Sequence, residues 1–156
     1  MTILFFIPLA LSPASAKDLS SRLGLGYRNA FPFSLSAIAL QFYPSSDFGL
    51  LGAIGVDTLD NNSAFGVQFG VRKIVFKEEH LNFFMGGTAS LLTKEQNAVK
   101  SSGYELAAVG GCEFFFAGLE NLGFNFETGM AVTSLDKVRF RTLGDSFIRS
   151  GIIFYF

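Results

Sequence analysis

The reactive side chains of this chain are few enough to take one at a time. Its 156 residues include one histidine, His80, and one cysteine, Cys112. A Cys/His or multi-histidine metal centre needs more ligands than that. A single thiol cannot close an intrachain disulfide. His80 ends the polar stretch Lys77-Glu78-Glu79-His80 between two apolar runs, which reads as a solvated tight turn. It is the one imidazole available for general-base work. Cys112 alternates with Leu106, Ala108 and Phe114, so its thiol is expected among apolar groups, protonated and unreactive. The glycines do not open helices, as a phosphate-cradling loop requires. With a net charge of −1 and no basic cluster of the nucleic-acid-binding kind, a polyanion partner is not expected. No catalytic group, cofactor or metal is expected.

Six other charged residues stand apart because of their setting: Arg28, Arg72, Arg149, Glu105, Glu113 and Glu127. Each alternates with small or polar residues and faces away from a row of large apolar ones. In Ala64 to Arg72, Phe65, Val67, Phe69 and Val71 share one side, and Gly66, Gln68, Gly70 and Arg72 the other. After Leu119-Glu120-Asn121, Leu122, Phe124, Phe126, Thr128 and Met130 oppose Gly123, Asn125, Glu127, Gly129 and Ala131. Three arginines and three glutamates on one confined face must neutralise one another, since a stranded charge is costly. Counting along the strands puts Glu127 level with Arg149 and Arg28 close to both. Arg72 and Glu113 fall in one half and are expected to pair.

The elements that must hold these groups are strands. Period two recurs along the chain after its first residues, and helical periodicity does not. Strands are expected near 22–29, 34–43, 48–57, 64–76, 81–92, 103–116, 122–132 and 146–156. The facing of 48–57 is left open by Leu50 and Leu51, which compete for one side. Pro44 to Asp47, Lys77 to His80 and Ala117 to Asn121 are tight connections. Asp57 to Ser63, Thr93 to Ser102 and Thr133 to Asp145 are longer and polar, and Asn29 to Phe33 is short. Short turns on one side and long loops on the other are a pattern of outer-membrane barrels. Charged residues make up 16 % of the chain, against roughly 25 % in ordinary soluble domains. Phe occurs 20 times and Gly 17 times, with Gly24, Gly26, Gly66, Gly70, Gly86, Gly111, Gly123, Gly129 and Gly151 on the expected inner faces. Small inward residues suit the narrow interior of an eight-stranded barrel.

Two segments bear on location. Ile3 to Leu11 is a short apolar run followed by Ala14-Ser15-Ala16, the small-x-small pattern of a cleaved secretory signal, although no Lys or Arg precedes residue 17. Residues 1–16 are therefore expected as a leader and 17–156 as one barrel domain. The chain closes on Ile152-Ile153-Phe154-Tyr155-Phe156, with Ile152, Phe154 and Phe156 on one side. This ending resembles the C-terminal assembly signal of outer-membrane proteins. At the level of pattern, the mature chain resembles small outer-membrane barrels of the OmpA/OmpX type. The resemblance implies an all-β, closed, antiparallel up-and-down transmembrane barrel of about eight strands in the outer membrane of a Gram-negative bacterium. It also implies lipid and lipopolysaccharide as surroundings and delivery by the barrel-assembly machinery; the oligomeric state is left open, with a monomer favoured.

Aromatic belts would then fall at Tyr27, Phe31 and Phe33 on the outer rim and at Phe42, Phe114, Phe116, Phe154 and Phe156 on the periplasmic rim. Phe84, Leu92, Phe115, Phe147, Ile153 and Tyr155 are candidates to fill the lumen. Lys94, Lys100, Lys137, Arg139 and Arg141 lie in the expected outer loops, where they could meet lipopolysaccharide phosphates or a surface partner. The leading expectation is a non-enzymatic barrel with a structural or surface-interaction role. A narrow pore, a lipid-modifying enzyme and a soluble calycin-like barrel remain as alternatives.

Overall fold

The computed structural model of the chain describes residues 17–143 and 148–156. The expected leader at 1–16, Asp145 and Phe147 lie outside them. Nine strands follow one another: β1 (Leu23–Arg28), β2 (Ala37–Phe42), β3 (Phe48–Asp57), β4 (Ala64–Glu78), β5 (Leu81–Gln96), β6 (Val99–Phe115), β7 (Leu122–Ser134), β8 (Val138–Thr142) and β9 (Arg149–Tyr155). Each of β1 to β6 pairs antiparallel with the next, β7 pairs with β9, and β9 pairs with β1. The result is a closed, all-β, antiparallel barrel with eight strand positions.

The eighth position is shared. β9 lies along Leu122–Glu127 of β7, and β8 lies along Met130–Ser134 of the same strand. Thr133 to Asp145 was expected as a loop, because it is long and polar, with two arginines, a lysine and two aspartates. Within it, Val138 and Phe140 alternate with Arg139 and Arg141. The hydrogen-bonding edge of β7 beyond Glu127 would otherwise be left open. Thr93 to Ser102 is likewise ladder rather than loop. β5 and β6 pair as far as Gln96 and Val99, joined by Asn97 and Ala98 with φ of 51° and 64°. Two consecutive positive φ values make the tight hairpin whose twist matches the strands.

Alternation sets the two surfaces. On β3, Leu51 is 1 % exposed and in step with Gly49, Ala53 and Gly55, so the competition between Leu50 and Leu51 resolves with Leu51 inside. The period slips once, where the pairing passes from Ile74–Phe84 to Phe76–Phe83. Val75 is the extra residue of this β-bulge, and Val75 and Phe76 both face out.

The interior is full from end to end. At the end with the tight turns, Leu19, Tyr43, Phe115 and Tyr155 are buried together. At the end with the long hairpins, Phe31, Leu35 and Leu92 are buried. Phe31 was expected on a rim facing out. It is instead 3 % exposed inside the barrel, where a Cβ on Gly66 would stand 2.7 Å from its ring. The missing side chain at Gly66 is what makes room for the ring. Leu19 belongs to a short strap before β1. Ser20 donates to Asp18 through both its amide, at 2.9 Å, and its hydroxyl, at 2.5 Å, which holds the Asp18 carboxyl below its ordinary value. Lys17 pairs with Glu120 at 3.0 Å and draws that carboxyl down as well.

Candidate functional site

The six inward charges expected from the sequence are all buried in the lumen, each at most 3 % exposed. Their pairing differs from the expectation. Arg28 on β1 and Arg72 on β4 both reach Glu127 on β7. Arg28 Nη2 donates to Oε1, and Arg72 Nη2 donates to Oε2 at 3.1 Å. Glu127 thus sits between two guanidinium groups, one of them the expected Arg28. Arg149 is the direct register neighbour of Glu127, yet its guanidinium donates to Glu105 Oε1 at 2.5 Å. Barrel strands tilt, so residues side by side in the ladder are not level in the lumen. A long arginine can lean past its neighbour to a carboxylate further along.

Glu113 was expected to pair with Arg72. It accepts instead from the hydroxyls of Tyr155 and Tyr43, the latter at 3.0 Å, and from Asn125 Nδ2 at 3.1 Å. Arg72 is joined to this cluster indirectly. Its Nη1 donates to Asn125 Oδ1 at 2.8 Å and to Gln41 Oε1 at 3.1 Å, and its guanidinium carbon lies 4.2 Å from the centre of the Phe84 ring. Gln41 Nε2 in turn donates to the Tyr43 hydroxyl at 2.6 Å. Gln41, Tyr43, Asn125 and Tyr155 therefore complete a network that the charge count alone did not reveal. The signal was present: Gln41 and Asn125 share the parity of Ala39 and Glu127, and an inward amide among charges must bond to them.

Every carboxylate in this interior is occupied by donors from the wall, so the arrangement ties strands together across the lumen. Glu127 alone links β1, β4 and β7. The side chains singled out for chemistry lie elsewhere. His80 is in the β4–β5 turn, 42 % exposed, with Nε2 3.9 Å from Glu79 Oε1. Cys112 faces outward, half-buried beside Phe83, Met85 and Phe126. No group of three or more His, Cys, Asp or Glu that could hold a metal occurs among the described residues.

The expected loop cations divide. Lys94, Lys137, Arg139 and Arg141 line one cleft of about 450 Å³ at the long-hairpin end, with Phe33 and Leu135 among its walls. Lys100 is not among them. It is the register partner of Glu95 on the opposite face of the β5–β6 hairpin, because β6 alternates and its inward residues are the odd-numbered ones. Ile152, Phe154 and Phe156 are 45 %, 50 % and 64 % exposed on the barrel's outer side, with the Phe154 and Phe156 ring centres 6.3 Å apart. Phe114, Phe116 and Phe124 form two edge-to-face contacts at the tight-turn end. No protein-family model matches this chain, and no curated protein matches it.

Proposed function

We propose that the chain is a membrane-spanning barrel of a bacterial outer membrane, non-enzymatic, with a surface-interaction role carried by its long-hairpin end. The observation that carries this reading is the inversion of polarity between the two surfaces. The inside holds six charges, while the outside holds Ile38, Phe69, Met85 and Leu91, each between 58 % and 69 % exposed. Along β4 the outward residues run Phe65, Val67, Phe69 and Val71 before Lys73 brings a charge near the tight-turn end. On β5 the outward row Leu81, Phe83, Met85, Gly87, Ala89 and Leu91 carries no charge over a span of ten residues, roughly 25 Å of height for a strand rising about 3.3 Å per residue and tilted about 40°. That is the height of the apolar band on barrels in bilayers. In water, exposed apolar area on this scale would drive association. A calycin-like soluble barrel would carry the reverse arrangement, with apolar residues inside and charges outside.

Lipid then surrounds the belt, and the end bearing Lys17, Phe156 and the tight turns faces the periplasm. The lumen serves as a rigid internal brace, and the hairpins of β5–β6 and β7–β8 stand above the membrane. Fractionation followed by a heat-modifiability gel tests location and fold together, with the barrel expected in the outer-membrane fraction. A substitution tests the lipid contact itself. Val67→Arg should cost about 2–4 kcal/mol in a bilayer, the range for a cation at mid-depth on a lipid face. On an exposed surface in water the same change stays within about 0.5 kcal/mol. A neutral Val67→Arg in refolding into lipid vesicles would overturn the membrane reading.

A further inference from the structure

The cleft at the long-hairpin end is built by parts of the chain that rise beyond the closed barrel. On β5, Lys94 and Gln96 continue the inward row of Ser90 and Leu92. On β8, Arg139 and Arg141 are the register partners of Thr133 and Ala131, both buried inward residues of β7. The lumen-facing side of both hairpins therefore turns cationic where it leaves the barrel. Lys137, in the turn between β7 and β8, adds a further cation to the cleft.

Neutralising groups are scarce there. Asp136 is the one acidic residue lining the cleft among the described residues, and it accepts from Ser101 Oγ at 2.5 Å. Glu105, deeper in the lumen, is committed to Arg149 and to Thr133 Oγ1, the latter at 3.2 Å. Among the described residues, no carboxylate stands within ion-pair distance of Lys94, Lys137 or Arg139. Lys94 is held at 5.7 Å over the Phe33 ring, and Arg141 donates to the Pro32 carbonyl at 3.4 Å. The first places a cation beside an apolar floor, and the second anchors an arginine to the β1–β2 connection. Buried Phe31 and Leu92 close the lumen beneath, so the cleft is a vestibule with a floor and not the mouth of a channel.

We propose that this vestibule binds a phosphate-bearing sugar, with Lys94, Lys137 and Arg139 taking the phosphate oxygens and the ring resting toward Phe33. The proposal rests on the reading of this end as the surface-facing one. Convergent cations favour a phosphate through charge-assisted hydrogen bonds, and an aromatic wall favours the apolar face of a pyranose ring. The same chemistry is offered by a free sugar phosphate and by the phosphorylated sugar headgroup of a membrane glycolipid.

The full barrel, folded in zwitterionic detergent micelles, is titrated at low salt with glucose 1-phosphate, inorganic phosphate and unphosphorylated glucose, followed by calorimetry. Saturable binding of glucose 1-phosphate, weaker binding of phosphate and none of glucose are expected. Arg139→Gln and Lys137→Gln, at exposed positions where folding is not at stake, should each weaken binding at least fivefold. Lys100→Gln, on the far face of the hairpin, should change it less than twofold. A second arm places the barrel in bilayer discs with and without a phosphorylated glycolipid and reads amide-exchange protection of residues 94–102 and 133–142. Protection in the discs without binding in the micelles assigns the ligand to a lipid headgroup. Micelle binding assigns it to a free sugar phosphate. No binding in either arm, or an equal loss with Lys100→Gln, overturns the proposal. The micelle arm does not require the protein to reside in a membrane, so its failure is distinct from failure of the membrane reading.

Discussion

Glu127 and Glu113 show how differently two buried carboxylates in one lumen are held. Glu127 is held by charge, because each of its oxygens faces a guanidinium, from Arg28 and from Arg72. Replacing it with an amide takes away the one carboxylate that both buried guanidinium groups contact. Breaking a buried pair in this way costs about 3–5 kcal/mol. Glu113 is held by neutral donors, two tyrosine hydroxyls and the Asn125 amide. A glutamine there keeps a carbonyl acceptor, and a rotated hydroxyl can accept from the new amide. The loss is that of one or two hydrogen bonds, about 1–2 kcal/mol. Urea unfolding of the two variants in the same lipid should therefore rank Glu127→Gln well below Glu113→Gln in stability. The reverse order would mean that the charge pairs are not what organises the interior. Alternation alone placed these six residues inside, because parity fixes the face of every strand residue. It could not pair them, since a long side chain leans along the lumen by an amount that parity does not specify. Arg149 passing its register neighbour for Glu105 is the case in point.

At the scale of elements, the strands were legible where the sequence is regular and illegible where ladder continues under polar residues. The barrel portions of β4 to β7 could be read from period two, whereas β3 could be placed but not faced, because Leu50 and Leu51 compete for one side. The β5–β6 extension and β8 were hidden because Lys94, Glu95, Lys100, Arg139 and Arg141 look like loop by composition. What keeps them as strand is pairing, each to an already formed neighbour. The plugs were illegible for another reason. Leu19 and Phe31 lie in irregular segments, where no period applies and burial is decided by the space that small residues such as Gly66 leave. The β5–β6 hairpin also carries a testable local cost. Ala98 occupies left-handed backbone, φ 64°, at a position in a two-residue turn where glycine is favoured. An alanine there costs about 1–2 kcal/mol relative to the right-handed region, and glycine does not incur it. Allowing for the extra chain entropy glycine loses, Ala98→Gly should stabilise the hairpin by about 0.5–1 kcal/mol. Amide exchange across residues 94–102 should slow two- to fivefold, while Ala98→Val should speed it. Exchange that is faster with glycine would show that the turn is held by contacts other than its backbone preference.

The whole molecule combines an apolar exterior with an interior blocked at several levels. Leu19, Tyr43, Phe115 and Tyr155 occupy the tight-turn end, the Arg28–Glu127–Arg72 bridge crosses the middle, and Phe31, Leu35 and Leu92 occupy the other end. Eight-stranded barrels leave an interior just wide enough for side chains, and here those side chains are large and bonded to one another. Ion passage would require several of these layers to open at once, including a charge pair whose separation strands two guanidinium groups. The protein reconstituted in planar bilayers should therefore show no steady conductance steps. The blockade is distributed, so thinning one layer should not open it. Phe31→Ala removes the ring at the long-hairpin end but leaves the bridge and the tight-turn cluster in place, and it too should remain non-conducting. A stable pore in the unmodified protein would exclude the brace as the resting state of the lumen. A pore appearing only with Phe31→Ala would place the whole barrier at that ring and leave the charge bridge permeable.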